Sequence, residues 1–335
     1  MTRNFMWQPL LLMLLLPLLT GCMSVSPAGG DVAETLTSSA PPSPTRTPSA
    51  TPTPSFTPPP VPTATPTATI TPTSTQIPTS TPTSTPTPGP TPDGKFRSVR
   101  VPILMYHYIS VPPQDADAYR YDLSLPPDVF QQHLDFLNEQ GYTTIHLQDL
   151  IRYLQRGEPS LPENPIILTF DDGYRDNYEN AFPALQAHGM VGTFFIITDF
   201  ADRAATDPNY ARYATWDLLR AMDEAGMEIG SHSRDHPDLR GKDDDFLVWQ
   251  ALGSRQTIEA NLGKQPRVLA YPSGAYDEDV IRVFHAAGFW GAVTTQPGIE
   301  QDNQHLFELK RLRISHDTEV PQLAAILNYW KNDQK

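Results

Sequence analysis

Two adjacent carboxylates, Asp171 and Asp172, end a run that is otherwise apolar, Ile166-Ile167-Leu168-Thr169-Phe170. The β-branched half of that run has the pattern of a strand buried on both faces, and such a strand does not ordinarily finish in two acids. Carboxylates this close repel, so the pair either shares a proton or holds a cation. Gly173 lets the backbone turn sharply enough to aim both side chains at one site. An isolated Asp-Asp-Gly is equally what a solvated Asx-turn looks like, so its meaning depends on the rest of the chain. Further on, Ser231-His232-Ser233-Arg234-Asp235-His236 places two imidazoles four residues apart, after Met227-Glu228-Ile229-Gly230. Imidazoles at that spacing reach one cation, and two histidines with one carboxylate suit zinc while leaving a position open for water. His107 and the turn Tyr271-Pro272-Ser273-Gly274 follow two further apolar runs.

The elements that must position these groups alternate regularly. Apolar runs expected as strands cover Val101 to His107, Tyr142 to His146, Ile166 to Phe170, Gly192 to Ile197, Glu228 to Ser231, Val268 to Tyr271 and Phe289 to Thr294, with a last short strand over Leu312 to Ile314. Between them lie helical spacings, among them Asn177 to His188, Thr215 to Ala225, Asp244 to Leu262 and Glu278 to Ala287, and a terminal helix spans Pro321 to Lys331. Six of these patterns stop at a glycine, the expected left-handed cap before a returning strand. Seven or eight βα units predict an α/β fold of parallel strands wrapped by helices, a barrel in preference to a doubly wound sheet. In either architecture chemistry gathers at the C-terminal strand ends, where His107, Asp171, Asp172, His232 and Tyr271 to Gly274 all fall.

The N-terminal part is different material. Residues 1–21 carry Arg3 and an apolar run from Leu10 to Leu19 that is short for a membrane span and typical of a signal peptide. Leu19-Thr20-Gly21-Cys22 resembles the lipobox of bacterial lipoproteins, which implies diacylation of Cys22, the only cysteine, and anchoring of the chain to the cell membrane on its outer side. Residues 22–95 form a Pro/Thr/Ser tract holding most of the 36 prolines. With nothing to build a core from, the tract is expected to be a disordered stalk, extending to roughly 200 Å in polyproline II geometry. The charged residues of the first 95 positions cancel, so the net charge of −14 belongs to residues 96–335, the expected catalytic domain. That balance argues against nucleic acid or another polyanion as partner. A monomer is expected.

Thr169-Phe170-Asp171-Asp172-Gly173 together with Ser231-His232 and His236 resembles the first two motifs of the polysaccharide deacetylases, the NodB-homology or carbohydrate esterase family 4 enzymes. Leu104-Met105-Tyr106-His107 and Ala270-Tyr271-Pro272-Ser273-Gly274 resemble in particular the branch that contains poly-N-acetylglucosamine deacetylases. The resemblance implies a distorted (β/α)7 barrel, a divalent metal (zinc foremost) on Asp172, His232 and His236, and Asp171 as general base. It also implies a substrate, an N-acetylated surface polysaccharide such as poly-N-acetylglucosamine, peptidoglycan or chitin, from which acetate is released. Tyr271, Pro272, Ser273 and Gly274 would line the substrate, with an N–H near Ser273 facing the developing oxyanion. The resemblance implies a general acid from a Leu-x-x-His motif, usually near the C-terminus; Leu104-Met105-Tyr106-His107 has that spacing and makes His107 the expected acid, whereas Leu312-Arg313-Ile314-Ser315-His316 is one residue too long.

This sequence departs from the family at its third motif. The arginine that steadies the catalytic Asp in many members is missing from Leu269-Ala270-Tyr271, and Arg234, Arg311 and Arg313 are the candidates to replace it. Alternative readings are an O-acetyl esterase and a weakened, carbohydrate-binding surface lipoprotein. Trp216 and Trp290 are expected to pack rather than stack on sugar, and His133, His146, His188 and His285 to be structural. Removing residues 1–95 should leave the thermal midpoint of the remaining domain unchanged, because the tract offers no core-forming side chains; Cys22→Ala should release the protein from membranes in a fractionation assay.

Overall fold

The computed structural model describes residues 89–332, so the expected signal peptide, Cys22 and nearly all of the Pro/Thr/Ser tract lie outside the described residues. The chain begins with β1 (Ser98–Arg100), β2 (Ile103–Tyr106), α1 (Ala118–Asp122), α2 (Pro127–Glu139), β3 (Thr143–Thr144) and α3 (Leu147–Arg156). It continues through β4 (Pro165–Phe170), α4 (Phe182–Ala187), β5 (Thr193–Ile196), α5 (Thr198–Ala204), α6 (Trp216–Glu224), β6 (Glu228–Ser231) and α7 (Asp244–Leu262). The last elements are β7 (Val268–Ala270), α8 (Glu278–Ala286), β8 (Gly291–Pro297), β9 (Glu300–Asp302), β10 (Leu309–Arg313) and α9 (Val320–Asn332).

Seven parallel strands run in the order β2-β10-β8-β7-β6-β5-β4, and β2 pairs with β4 to close the circle. The expected barrel is therefore the architecture found, with β3 added beside the start of β4 and an antiparallel ribbon of β1 and β9 that the alternation did not reveal. The strands bury both faces, as in any parallel sheet covered on each side, and the β2–β4 pairing closes this one. Ile103, Ile167, Phe195, Val268, Val293 and Leu309, from six strands, meet in one cluster inside the barrel, capped by the apolar stripe of α3. The alternate residues Leu104, Tyr106, Leu168, Phe170, Phe194 and Ile196 pack outward under α2, α4, α6 and α9.

Helix ends follow the glycines: at Gly157 (φ 77°) and Gly263 (φ 73°) the backbone turns left-handed and the glycine N–H donates to Tyr153 and Glu259, closing α3 and α7. One helix differs from its expected span. The stretch after Asp176 opens as a wide π turn over Asn177–Ala181 before α4 begins at Phe182. Pro183 lies at the junction, where the π turn runs without a break into α4.

Register carries the chemistry to one rim. Tyr106 pairs with Phe170, so His107 stands beside Asp171; Ser231 pairs with Leu269, so His232 stands beside Ala270. On β6, Gly230 faces the barrel interior, and a Cβ there would lie 2.7 Å from the Phe195 ring and 2.9 Å from a Val268 methyl. Gly230→Ala should therefore destabilise the fold by about 1–3 kcal/mol through overpacking, read as a lower urea midpoint with an unchanged slope.

Candidate active site

Four groups come from four strand ends of the barrel. Asp171 follows β4 and is 3% exposed, and its carboxylate is gripped by a fully buried arginine from β10. Arg311 Nη1 donates to Asp171 Oδ1 (2.7 Å) and Nη2 to Oδ2 (2.8 Å). The same guanidinium donates from Nε to the Thr294 carbonyl (2.8 Å) and from Nη1 to Thr169 Oγ1 (3.1 Å), so its plane is fixed. Of the three candidate replacements for the missing third-motif arginine, Arg311 is thus the one in place. Arg234 is paired with Asp199 and Arg313 with Asp122. Burial by itself would raise the Asp171 pKa, but the charge and hydrogen bonds of Arg311 outweigh it and hold the carboxyl below its ordinary range.

Asp172, one residue on, turns the other way. Its backbone is left-handed (φ 71°), as is that of Gly173 (φ 71°), where a Cβ would touch Ile196 at 3.0 Å. The turn separates the two acids: Asp171 faces Arg311, and Asp172 faces His232 (3.3 Å) and His236 (3.5 Å). One ligand atom from each of Asp172, His232 and His236 lies within 4.8 Å of the others, and they form the one such group among the described residues. The donor set fits a divalent cation such as zinc. His232 Nδ1–H donates to the Ala270 carbonyl (2.7 Å), which fixes the tautomer and leaves Nε2 toward Asp172. Burial opposes a charge on His232, yet its bond to Asp172 raises its pKa; burial and the neighbouring His232 charge lower His236 to about 4.

His107, after β2, is buried, and its Nε2 lies 3.9 Å from Asp171 Oδ2 while Nδ1 has no partner among the described residues. The backbone is held by Asn177 Nδ2–H donating to the His107 carbonyl (2.8 Å), so the π turn serves the site. Burial lowers the His107 pKa against the pull of Asp171 and Asp172. His316 is engaged elsewhere: Nδ1–H donates to the Ser124 carbonyl (2.9 Å) and the ring lies 3.9 Å from that of Tyr121.

The turn after β7 corrects part of the expected substrate lining. Tyr271 is fully buried among Leu269, Phe284 and Ala292 and stacks on Tyr276 (4.7 Å), so it supports the turn from beneath and does not meet substrate. Pro272 has no N–H, and those of Gly274 and Ala275 donate to Tyr271 and Pro272. This leaves Ser273, exposed and left-handed (φ 53°), with its N–H unpartnered among the described residues. At Gly274 (φ 70°) a Cβ would collide with Thr295. Asp172, Ser233, His236 and Ser273 are the four described non-glycine residues with left-handed backbone, and all four belong to this rim. Strain of this kind persists only where surrounding structure over-determines it, and it concentrates at functional sites.

The remaining aromatics and histidines bear structural contacts, such as Trp216 Nε1–H to Asp202 (2.7 Å) and fully buried His133 between the Tyr106 hydroxyl and the Thr318 carbonyl. A row of stacked tyrosines, Tyr108, Tyr174 and Tyr213, lies beside the acids and went unread in sequence, since residues from three separate segments make it.

Comparison with known proteins agrees with this geometry. The family model described as polysaccharide deacetylase matches residues 158–292. YxkH of Bacillus subtilis, which carries the same family name, is 30% identical over 220 residues, 65% of this chain and 73% of its own. The poly-beta-1,6-N-acetyl-D-glucosamine N-deacetylase of Staphylococcus epidermidis is 25% identical over 203 residues, 58% of this chain and 69% of its own. Among solved structures, the Streptococcus pyogenes deacetylase PplD in complex with acetate superposes with a TM-score of 0.61 at 27% identity, covering 69% of this chain and 99% of that one.

Arg311→Gln should leave Asp171 buried without its counter-charge, a loss of about 3–5 kcal/mol in stability. Because burial is then opposed only by the nearby His232 and His107, the Asp171 pKa rises, and the acid limb of the pH–rate profile moves to higher pH. In the parent the ionised pair stabilises the fold above the ordinary carboxylate pKa, and that stabilisation fades as pH falls through the lower folded value. The gap in thermal midpoint between parent and variant should therefore narrow on acidification.

Proposed function

This chain belongs to the polysaccharide deacetylase family, and we propose that it removes N-acetyl groups from an N-acetylglucosamine-containing surface polymer in a reaction that needs a divalent cation, zinc foremost. The observation that carries this reading is the division of labour between neighbouring acids. Asp171 is locked to Arg311, and Asp172 is turned toward two histidines. A site built only to hold a cation has no use for the first arrangement.

Asp172, His232 and His236 would hold the cation, which when bound supplies acidity to water and polarises the acetyl carbonyl. Asp171 is the base that takes the proton of the attacking water. Arg311 occupies one lone pair on each oxygen, leaving the carboxylate capacity to accept. As the carbonyl oxygen gains charge, the Ser273 N–H is the donor available to it. His107 then gives a proton to the amine nitrogen as its bond to the acetyl carbon breaks, releasing acetate. Burial lowers the pKa of His107, which makes its imidazolium the stronger acid for that step. PplD was captured with acetate, the product such chemistry would leave.

The named activity of the S. epidermidis relative supports poly-N-acetylglucosamine as the polymer. A weakened carbohydrate-binding relative is disfavoured, since Arg311 fills the gap on which that reading rested. Attachment to the outer side of the membrane through Cys22 completes the proposal, and it rests on the lipobox-like Leu19-Thr20-Gly21-Cys22.

Acetate release by the purified protein from poly-N-acetylglucosamine, peptidoglycan and chitin oligomers tests the reaction; no release from any of them refutes it. Asp172→Ala, His232→Ala and His236→Ala should lose metal, whereas Asp171→Asn should keep metal and lose turnover. Equal metal loss in all four would overturn the division of labour. His107→Ala should lose roughly 10²-fold or more in kcat with metal retained, and His316→Ala should match the parent; the reverse pattern would transfer the acid role to His316.

A further inference from the structure

Helix α7 buries polar side chains where a barrel helix ordinarily buries apolar ones. Gln250 and Ser254, one turn apart on one face, are both fully buried. Buried amide and hydroxyl groups cost stability unless hydrogen-bonded, and here both bonds of Gln250 go to one loop, while Ser254 bonds to the strand end from which that loop leaves. Gln250 Oε1 accepts from the Arg234 N–H (3.0 Å), and Gln250 Nε2–H donates to Asp235 Oδ1 (2.6 Å). Ser254 Oγ accepts from the Ser231 hydroxyl (2.8 Å) and donates to the Ala251 carbonyl of its own helix (3.2 Å). Ser231 Oγ in turn accepts from the Ser233 N–H (3.1 Å), and Ser233 Oγ accepts from the N–H of His236 (3.0 Å).

Ser233, Arg234 and Asp235, the three residues between His232 and His236, are thus all tied to α7, directly or through a hydroxyl. His232 is fixed independently, by Ala270 on β7. Two of the strained residues, Ser233 (φ 65°) and His236 (φ 63°), sit within this loop, where left-handed backbone needs outside support. We propose that Gln250 and Ser254 are positioning residues that set the placement of His236 relative to His232, and through it the affinity of the site for a divalent cation. The proposal rests on the reading of Asp172, His232 and His236 as ligands. It assigns to α7 a task that its packing alone does not require.

Near-isosteric variants separate this role from core packing. In the full-length chain, Gln250→Met removes both bonds to the loop at similar volume, Ser254→Ala removes the end of the hydroxyl relay, and Ile258→Val trims buried α7 packing that makes no bond to the loop. Zinc affinity would be measured by competition with a chromogenic chelator, and folding by thermal denaturation of the metal-free proteins. Gln250→Met and Ser254→Ala should each weaken zinc binding by about 10–100-fold at temperatures where they remain folded. Ile258→Val should lower the thermal midpoint without changing affinity. Zinc affinities of Gln250→Met and Ser254→Ala within twofold of the parent would overturn the proposal, and should Gln250→Met not fold, Ser254→Ala decides alone. A parent chain that fails to bind zinc would instead refute the ligand assignment.

Discussion

A carboxylate that must remain ionised inside a barrel needs a positive charge held as firmly as itself, and the pairing of Asp171 with Arg311 meets that need. Both are buried, and the guanidinium reaches the acid through two parallel bonds while two of its other N–H groups donate to Thr294 and Thr169. In the sheet order, β4 and β10 lie far apart when counted through β8, β7, β6 and β5, and only the pairing of β2 with β4 makes them next-but-one neighbours. The same residues on an open, doubly wound sheet would leave Asp171 without a partner. Closure of the barrel and ionisation of Asp171 are therefore one constraint.

Around that pair the site is assembled by supports outside the reacting groups. Asp172 is turned away from Asp171 by left-handed backbone at positions 172 and 173, which converts two repelling acids into two distinct environments. Asn177, in the π turn, holds the backbone of His107, and α7 holds the loop of His236. These supports are buried polar contacts, favourable only when every partner is present. Their clustering on one rim explains why the strained conformations gather there and not in the surface loops.

The net charge of −14 is compatible with the substrate class proposed above. A neutral N-acetylated polymer is not repelled by an acidic domain, and each deacetylated unit gains an ammonium group that an acidic surface attracts. Long-range fields of this kind act on encounter and local concentration, not on the fold.

Much of this was legible in the residues themselves. The alternation of apolar runs and helical spacings, six of the latter closed by a glycine, points to parallel βα units, because period and capping are local properties of the chain. Asp-Asp-Gly at a strand end and His-x-x-x-His at another marked candidate groups for the same reason, since each fragment lies within a few residues, and the resemblance to the family is what joined them into one expected cation site. What the chain alone left open was every relation between distant segments. Arg311, Arg234 and Arg313 were equivalent as residues; Arg311 and Arg313 share one face of β10, and it is depth in the barrel that puts buried Arg311 on the acid while Arg313, at the exposed strand end, reaches Asp122. Tyr271 looked like a substrate contact until its strand register turned it outward beneath α8, and Gln250 and Ser254 looked like ordinary positions in a long helix. Local sequence decides which groups face the same way along one element; only the closed barrel, by fixing which elements are neighbours and in what register, decides which groups meet.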